Sequence, residues 1–562
     1  MTARTVTTLA ATAALVLAAS PPAFASRSQE SIFMDDPKIV FSAPENLEGT
    51  LAEMKALGTD RIRVSVFWHL LAPNPDSETP PFAAGGGSDP RNYSADKWDR
   101  YDRIVTTAQG LGLKVLFNAT SPAPNWATPR PPRADLEDSY RPDADEFRDF
   151  VEALGTRYSG AFADEAVRQD VTSLFDDCEP TPNFPVPPEL CPPDTSDPSP
   201  DNPNPPNTGP ILPRVDTWSI WNEPNMPGWL TPQSHEDDNR LAASPHVYRR
   251  LADAMYTGLQ ESGHGNDTIL LGETAPRGAG GRAVTQSLPP LLFIRELYCL
   301  DAGFDPFRGD AAERRNCPGD GDGFAAAHPV LFDASAFAHH PYAFEAPPGR
   351  TDRTRDHAVL ADFGRLTRTL DRATARHGSQ KRYRVWLTEY GYQTAPPDPY
   401  LGWPWKTHAR FLAHAEWLAY RRPRIRSTAQ FLLYDDAPRR EFAADDPRRW
   451  GTFQTGLRTA AGKKKAAYAG YQRVIHVPGR ARRGRRVRVF GLYRPATAPV
   501  EASVQFRRRG RDEWRTVATE DTNANGFLVV HRRARHEGAF RIRFRAGDRT
   551  ARTRAARLRV SP

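Results

Sequence analysis

Short apolar runs alternate along this chain with longer segments whose apolar residues recur every three to four positions, and the alternation repeats eight times before the pattern changes. "KIVFSA" (Lys38–Ala43) predicts a first strand; "NLEGTLAEMKALG" then places Leu47, Leu51, Met54 and Leu57 on one helical face and stops at Gly58. Further strands are predicted at "RIRVSVFW" (Arg61–Trp68), "KVLFNAT" (Lys114–Thr120), "VDTWSIW" (Val215–Trp221), "TILLGE" (Thr268–Glu273), "DASAFAHH" (Asp333–His340), "YRVWLTE" (Tyr383–Glu389) and "STAQFLLY" (Ser427–Tyr434). Between them, helical spacing is found near Lys97–Gly110, Asp145–Tyr158, Pro245–Ser262, Pro290–Leu300, Ala358–His377 and Lys406–Tyr420, and a closing helix is predicted over Lys463–Val474. Eight strand and helix alternations predict a (β/α)8 TIM barrel, here with enlarged loops. An open doubly wound sheet would ordinarily carry a glycine-rich first turn, and "PENLEG" offers no GxGxxG.

Beyond Gly479 the period falls to two. "RVRVFGLY", "EASVQFRRR", "GFLVVHRR" and "AFRIRFRAG", separated by turn residues such as "NANG", predict a small antiparallel β-sandwich with arginine on its wet face. Length agrees with two units, since 562 residues exceed what one hydrophobic core serves.

Charge divides the chain in the same place. Residues 478–562 hold 23 arginines against seven acidic residues, a surplus of 16, whereas the whole chain is only +7, so the first 477 residues carry −9. A surplus confined to one segment does not mark a nucleic-acid enzyme; it marks either a charged outer face or a surface for anionic polysaccharide or cell-envelope material. The opening segment, with one early cation, an apolar run from Leu9 to Ala19 and Ala23-Phe24-Ala25, predicts an export signal cleaved after Ala25. No later run is long enough to span a bilayer, so a secreted protein is expected: residues 1–25 signal, 26–477 barrel, 478–562 accessory sandwich. Two close cysteine pairs, Cys178 with Cys191 and Cys299 with Cys317, agree with export and predict local disulfides; CxxC spacing for zinc is absent.

In such a barrel, residues just past the strand C-terminal ends line one mouth. These positions supply Arg63, Trp68 and His69, then Asn118, Asn222 with Glu223, His340 with Tyr342, Glu389, and Tyr434 with Asp435. Two glutamates after strands four and seven suit glycosidic cleavage, which needs a proton on the departing oxygen and an anion facing the sugar carbon. A carboxylate near an arginine stays charged and one among aromatic rings protonates more readily, so Glu389 and Glu223 are the respective candidates.

The local wording is more specific. "WNEPN" and "LTEYG" resemble the catalytic motifs of the large barrel clan of retaining glycoside hydrolases that includes cellulases, mannanases, xylanases, β-xylosidases and β-galactosidases. The resemblance implies that Asn222 binds substrate, Glu223 is the acid/base and Glu389 the nucleophile. It also implies Arg63 beside the nucleophile, Tyr342 as an aromatic hydroxyl and His340 in a subsite, and it covers Lys38 to Val474. Where many members end strand eight with tryptophan, "FLLYDD" offers Tyr434. Trp68, His69 and Asn118 complete the expected substrate-binding set; no cofactor or metal is implied. The competing readings are a non-catalytic carbohydrate-binding barrel and a metal-dependent hydrolase built on His339 and His340, for which HExxH spacing is missing.

Overall fold

A computed structural model describes residues 28–83, 85–136, 139–163, 210–280, 283–318, 323–494 and 496–562. Its strands β1 (Glu30–Met34), β2 (Arg61–Phe67), β3 (Lys114–Thr120), β4 (Thr217–Ile220), β5 (Thr268–Thr274), β6 (Ala336–His339), β7 (Val385–Leu387) and β8 (Ile425–Phe431) close into one parallel barrel. Closure is made by β1, where Ile32 lies opposite both Arg61 of β2 and Ala429 of β8. Helices α1 (Pro44–Ala56), α2 (Ala95–Gly110), α3 (Ala144–Arg157), α4 (Ser244–Glu261), α5 (Pro290–Leu297), α6 (Phe363–Arg376), α7 (Trp405–Tyr420) and α8 (Ala466–Gln472) follow the strands in turn.

Strand alternation sorts the side chains into two layers. Ile62, Val64, Val66, Phe117, Trp218, Ile220 and Leu271 belong to the large core shared with the helices. Ile32, Leu116, Leu270, Ala336, Ala338 and Trp386 fill the barrel interior, with buried Arg61, paired to Glu30, 5.5 Å from the Trp386 ring, and the catalytic-type polar groups gather at the upper end.

The first strand differs from the sequence expectation. Glu30–Met34 takes that place, and Lys38 falls in a one-turn helix, Asp36–Ile39. The reason is local: Asp35 caps the turn, its Oδ1 accepting from the Lys38 N–H (3.2 Å), and Pro37 fits a first helical turn. The three-residue run Ile32–Met34 is fully engaged in β1 instead. The disulfide Cys299–Cys317 is formed within its loop, as expected. The export signal and the Cys178–Cys191 pairing lie outside the described residues.

The sandwich contains β9 (Arg473–His476), β10 (Arg480–Arg482), β11 (Arg486–Tyr493), β12 (Glu501–Arg508), β13 (Arg515–Asp521), β14 (Phe527–Arg533), β15 (Gly538–Ala546), β16 (Arg549–Arg552) and β17 (Ala556–Ser561). One sheet runs β9-β11-β14; the other runs β10-β17-β15-β12-β13, with β16 on β15. Val489, Val504, Val530, Ile542 and Phe544 fill the space between them. The closing helix stops at Gln472 rather than Val474, because β-branched Val474 and Ile475 enter β9 and pair with Leu492 and Gly491 of β11. Trp417 and Tyr420 of α7 pack on this sheet, with ring centroids 5.4 Å from Phe490 and 5.2 Å from Phe527 respectively. Arg494 reaches back to Glu416 at 2.8 Å. Among the described residues no helix is long and apolar enough to cross a membrane.

Candidate active site

Arg63, fully buried on β2, organises the mouth. Its Nη1 donates to Glu389 Oε1 (3.1 Å), and its Nη2 donates to Asn222 Oδ1 (2.7 Å), Asn118 Oδ1 (3.0 Å) and Glu273 Oε2 (3.3 Å). A buried guanidinium is tolerable only with such compensation.

His340, also fully buried, follows β6 and joins three carboxylates. Its Nδ1 lies 2.8 Å from Glu223 Oε1 and 3.6 Å from Glu389 Oε2, and its Nε2 lies 2.6 Å from Glu273 Oε2. Thr388 donates to that same Glu273 oxygen at 2.7 Å, and the Tyr342 hydroxyl donates to Glu389 Oε2 at 2.9 Å. The ligand atoms of Glu223, His340 and Glu389 all fall within 4.8 Å of one another. Glu273 is buried completely, Glu389 nearly so, whereas 18% of the Glu223 side chain is exposed to the mouth.

Backbone geometry lifts these groups into place. Trp221 (φ +58°) and Glu223 (φ +35°) after β4, and Glu273 (φ +47°) in β5, are left-handed non-glycine residues, each costing about 1–3 kcal/mol. Surrounding bonds hold them there: the Glu223 N–H donates to the Glu273 carbonyl (3.0 Å), and the Asn222 N–H donates to Thr120 Oγ1 (3.1 Å). Asn225, two residues on, grips Ala275 and Leu288 through its amide. Before Glu273, Gly272 has φ +111°, and a Cβ there would meet Phe337 at 2.5 Å, so glycine is required.

The electrostatics follow from burial and partners. Burial alone would lower the His340 pKa, but Glu389, Glu223 and Glu273 outweigh it and hold the imidazolium at about 10. Burial would raise Glu273, yet Arg63 and His340 bring it down to about 2. Burial pushes the Glu389 carboxyl up, opposed by His340 and Arg63. Tyr342 is driven well above its ordinary value by burial and Glu389, so it stays a hydroxyl donor. Both Glu389 oxygens therefore accept from donors, a demand that the carboxylate form meets. Glu223, Glu273 and Glu389 face the two cations Arg63 and His340, and buried Asp36 also acts on Arg63.

Of the residues expected at the mouth, the structure brings together Arg63, Asn118, Asn222, Glu223, His340, Tyr342 and Glu389. Asn118 lies beneath the others, its amide already donating to Ser219 Oγ (2.9 Å) and the Trp221 carbonyl (2.5 Å). Trp68 is not in the mouth: fully buried, it stacks on Phe150 of α3 at 5.5 Å and packs against Trp126, because the chain enters a helical turn at Trp68. His69 sits 3.6 Å from exposed Asp76 and makes no bond to the carboxylates among the described residues. Tyr434 also turns outward, its hydroxyl 3.4 Å from Glu53 of α1, because Leu432 (φ +71°) redirects the chain after β8. Asp435 is buried in an ion pair with Lys465 at 2.5 Å. The aromatic wall near strand eight is instead Phe431, edge-on to Tyr342 (6.2 Å), with half-exposed Phe453 5.0 Å beyond it. Glu273 escaped the sequence reading although "TILLGE" ends on a carboxylate as "YRVWLTE" does; Phe453 lies in a loop without periodicity.

Glu223, His340 and Glu389 have the residue types of a metal site, but their chemistry opposes one. Both His340 nitrogens are committed to carboxylates as an imidazolium, and Arg63 already neutralises Glu389. His339 is likewise engaged, by Thr274 Oγ1 (2.8 Å) and the Ala358 carbonyl (2.6 Å).

No family model and no curated protein matches the chain. Among solved structures, Fpglu1 from Fervidobacterium pennivoraus is similar over 80% of this chain and 95% of its own, at 11% identity and TM-score 0.42. AbfB, a family 51 α-L-arabinofuranosidase from Bifidobacterium longum, is similar over 92% and 98%, at 12% identity and TM-score 0.39. Likenesses this distant carry no argument about chemistry, which rests on the site: a parallel barrel whose mouth holds an acidic pair of the glycoside-hydrolase type.

Proposed function

We propose that this protein is a secreted retaining glycoside hydrolase acting on β-linked oligo- or polysaccharide. The observation that carries the proposal is that Glu223 and Glu389 meet in one mouth, one oxygen of each lying within 4.8 Å of the other, a closeness that favours retention. Retaining enzymes hold their two carboxyl groups about 5–5.5 Å apart, whereas inverting ones leave about 6.5–9.5 Å for a water.

In the first step Glu389 attacks the anomeric carbon while Glu223 gives its proton to the departing glycosidic oxygen, so one C–O bond forms as another breaks. Glu389 suits the nucleophile because Arg63 and Tyr342 fix both its oxygens. Glu223 is given the acid role because one of its oxygens has no partner among the described residues, although the other accepts from the His340 cation rather than lying among aromatic rings as the sequence predicts. Esterification removes the Glu389 charge and leaves Glu223 as a carboxylate, its proton having gone to the departing oxygen. That carboxylate takes a proton from water, which attacks the same carbon and releases Glu389.

Asn222 offers Nδ2 to the sugar, since its carbonyl is bound by Arg63 and its amide takes no partner among the described residues. Asn118 acts through Arg63, and Glu273 acts through His340. Residues 26–477 carry the chemistry, and residues 478–562 hold the enzyme to anionic polysaccharide or cell-envelope material. Aryl β-glycosides differing in sugar test the proposal: a turned-over substrate should release product with its anomeric configuration retained when NMR follows the first minutes. An inverted first product would refute the mechanism.

A further inference from the structure

The two sheets of the sandwich leave adjacent free edges, β13 in one and β14 in the other. Between them opens a cleft of about 540 Å³ lined by Arg486, Val517, His531, Arg532, Arg533 and Arg535. It continues over an apolar floor that includes Phe506, Phe540 and Leu558.

What sets this cleft apart is that four arginines line one concave surface beside an apolar floor. Elsewhere in the sandwich, Arg494, Arg509 and Arg515 pair with glutamates, and Arg507 and Arg541 stack on Trp514. Among the described residues no carboxylate pairs with Arg486, Arg532, Arg533 or Arg535. Arg532 is fixed by the His531 and Val517 carbonyls, and its buried Nε has no partner. Glu520 is the acidic group that acts on His531 at this edge. Arginines also guard free edges against pairing, but that role needs no concave surface.

We propose that this cleft binds a segment of acidic polysaccharide, its guanidinium groups pairing with successive carboxylates or sulfates and its apolar floor facing the sugar rings. Planar guanidinium is suited to bidentate pairing with both anions. A single-stranded nucleic acid would need exposed rings for its bases to stack on, whereas Phe540 is buried, Phe506 is partly buried and the only tryptophan of the sandwich, Trp514, is outside the lining. The proposal rests on reading the sandwich as an accessory to a glycosidase barrel, yet it is tested apart from catalysis.

The full-length protein would be titrated with soluble polygalacturonate, with neutral dextran and with DNA, at low and high salt. Arg533→Ala combined with Arg535→Ala should weaken polygalacturonate binding at least about ten-fold and flatten its salt dependence. Arg545→Ala combined with Arg549→Ala, on β15 and β16 of the other sheet and outside the cleft lining, should change it by less than about two-fold. Hydrolysis of a small aryl glycoside should be unaltered in both. Equal weakening by the two pairs would overturn the cleft in favour of diffuse charge. Failure to bind polygalacturonate, or tighter binding of DNA, would overturn the ligand class, while lost hydrolysis with intact binding would count against the barrel's proposed chemistry alone.

Discussion

Nδ1 of His340 stands 2.8 Å from Oε1 of Glu223. Because the other imidazole nitrogen is held by Glu273 at 2.6 Å, the ring is an imidazolium that donates in both directions. The orientation of Glu223 thus depends on a carboxylate that never faces the mouth.

This dependence makes Glu273 a positioning residue. In Glu273→Gln the loss of a charged hydrogen bond, worth about 1.5–3 kcal/mol, should lower kcat/KM about 10- to 100-fold. The readout specific to positioning is the His340 ring titration by NMR, which should fall from about 10. An unchanged titration would remove Glu273 from the role.

The same pair sets opposite pH limits on stability. His340 titrates above its ordinary 6.5, so its contribution is complete below about pH 6.5 and is lost as pH rises through about 10. Glu273 titrates below its ordinary 4.5, so its contribution is present above about pH 4.5 and is lost as pH falls through about 2. Denaturant unfolding across pH should show the stability difference between wild type and Glu273→Gln shrinking toward both limits.

Glu223→Ala should depress hydrolysis of glycosides with poor leaving groups by about 100- to 10,000-fold and spare activated aryl glycosides far more. Azide should restore turnover and yield a β-glycosyl azide. Equal loss on both leaving-group classes would deny Glu223 the acid role.

Aromatic substitutions test the wall near strand eight. Phe453→Ala should raise KM up to about ten-fold, the scale of one aromatic contact, while Tyr434→Phe should stay within about two-fold. The reverse outcome would return the platform to Tyr434.

Glu223, Glu389 and Arg63 were legible in the sequence because each lies at or next to a strand whose alternation fixes its side, and "WNEPN" and "LTEYG" add chemical wording. Trp68 and Tyr434 were not, because a helical turn beginning at Trp68 and the left-handed Leu432 rotate the chain after the strand has ended. The first strand lies earlier than the apolar run suggests because Asp35 caps a turn at Asp36–Ile39, which backbone bonds to the Asp35 and Asp36 carbonyls close. Glu273 was missed because its role is set by partners on β2, β6 and β7, which no local pattern reports.

The junction between barrel and sandwich is a further contact that alternation does not foretell. Phe490, fully buried against Trp417 and Tyr420, should cost about 3–5 kcal/mol on replacement by alanine, measured by denaturant unfolding. A loss below about 1 kcal/mol would mean that the sandwich is only loosely attached.

The central claim is that Glu389 forms a covalent bond to the sugar. Dinitrophenyl 2-deoxy-2-fluoro-β-glycosides of the sugar that proves to be turned over would be incubated with the full-length enzyme, and the labelled peptide sequenced by mass spectrometry. The account predicts one sugar per chain, attached at Glu389 in the peptide containing "LTEYG", with activity lost in step. A label on any other residue, or continued turnover of the parent glycoside with no label formed, would contradict it.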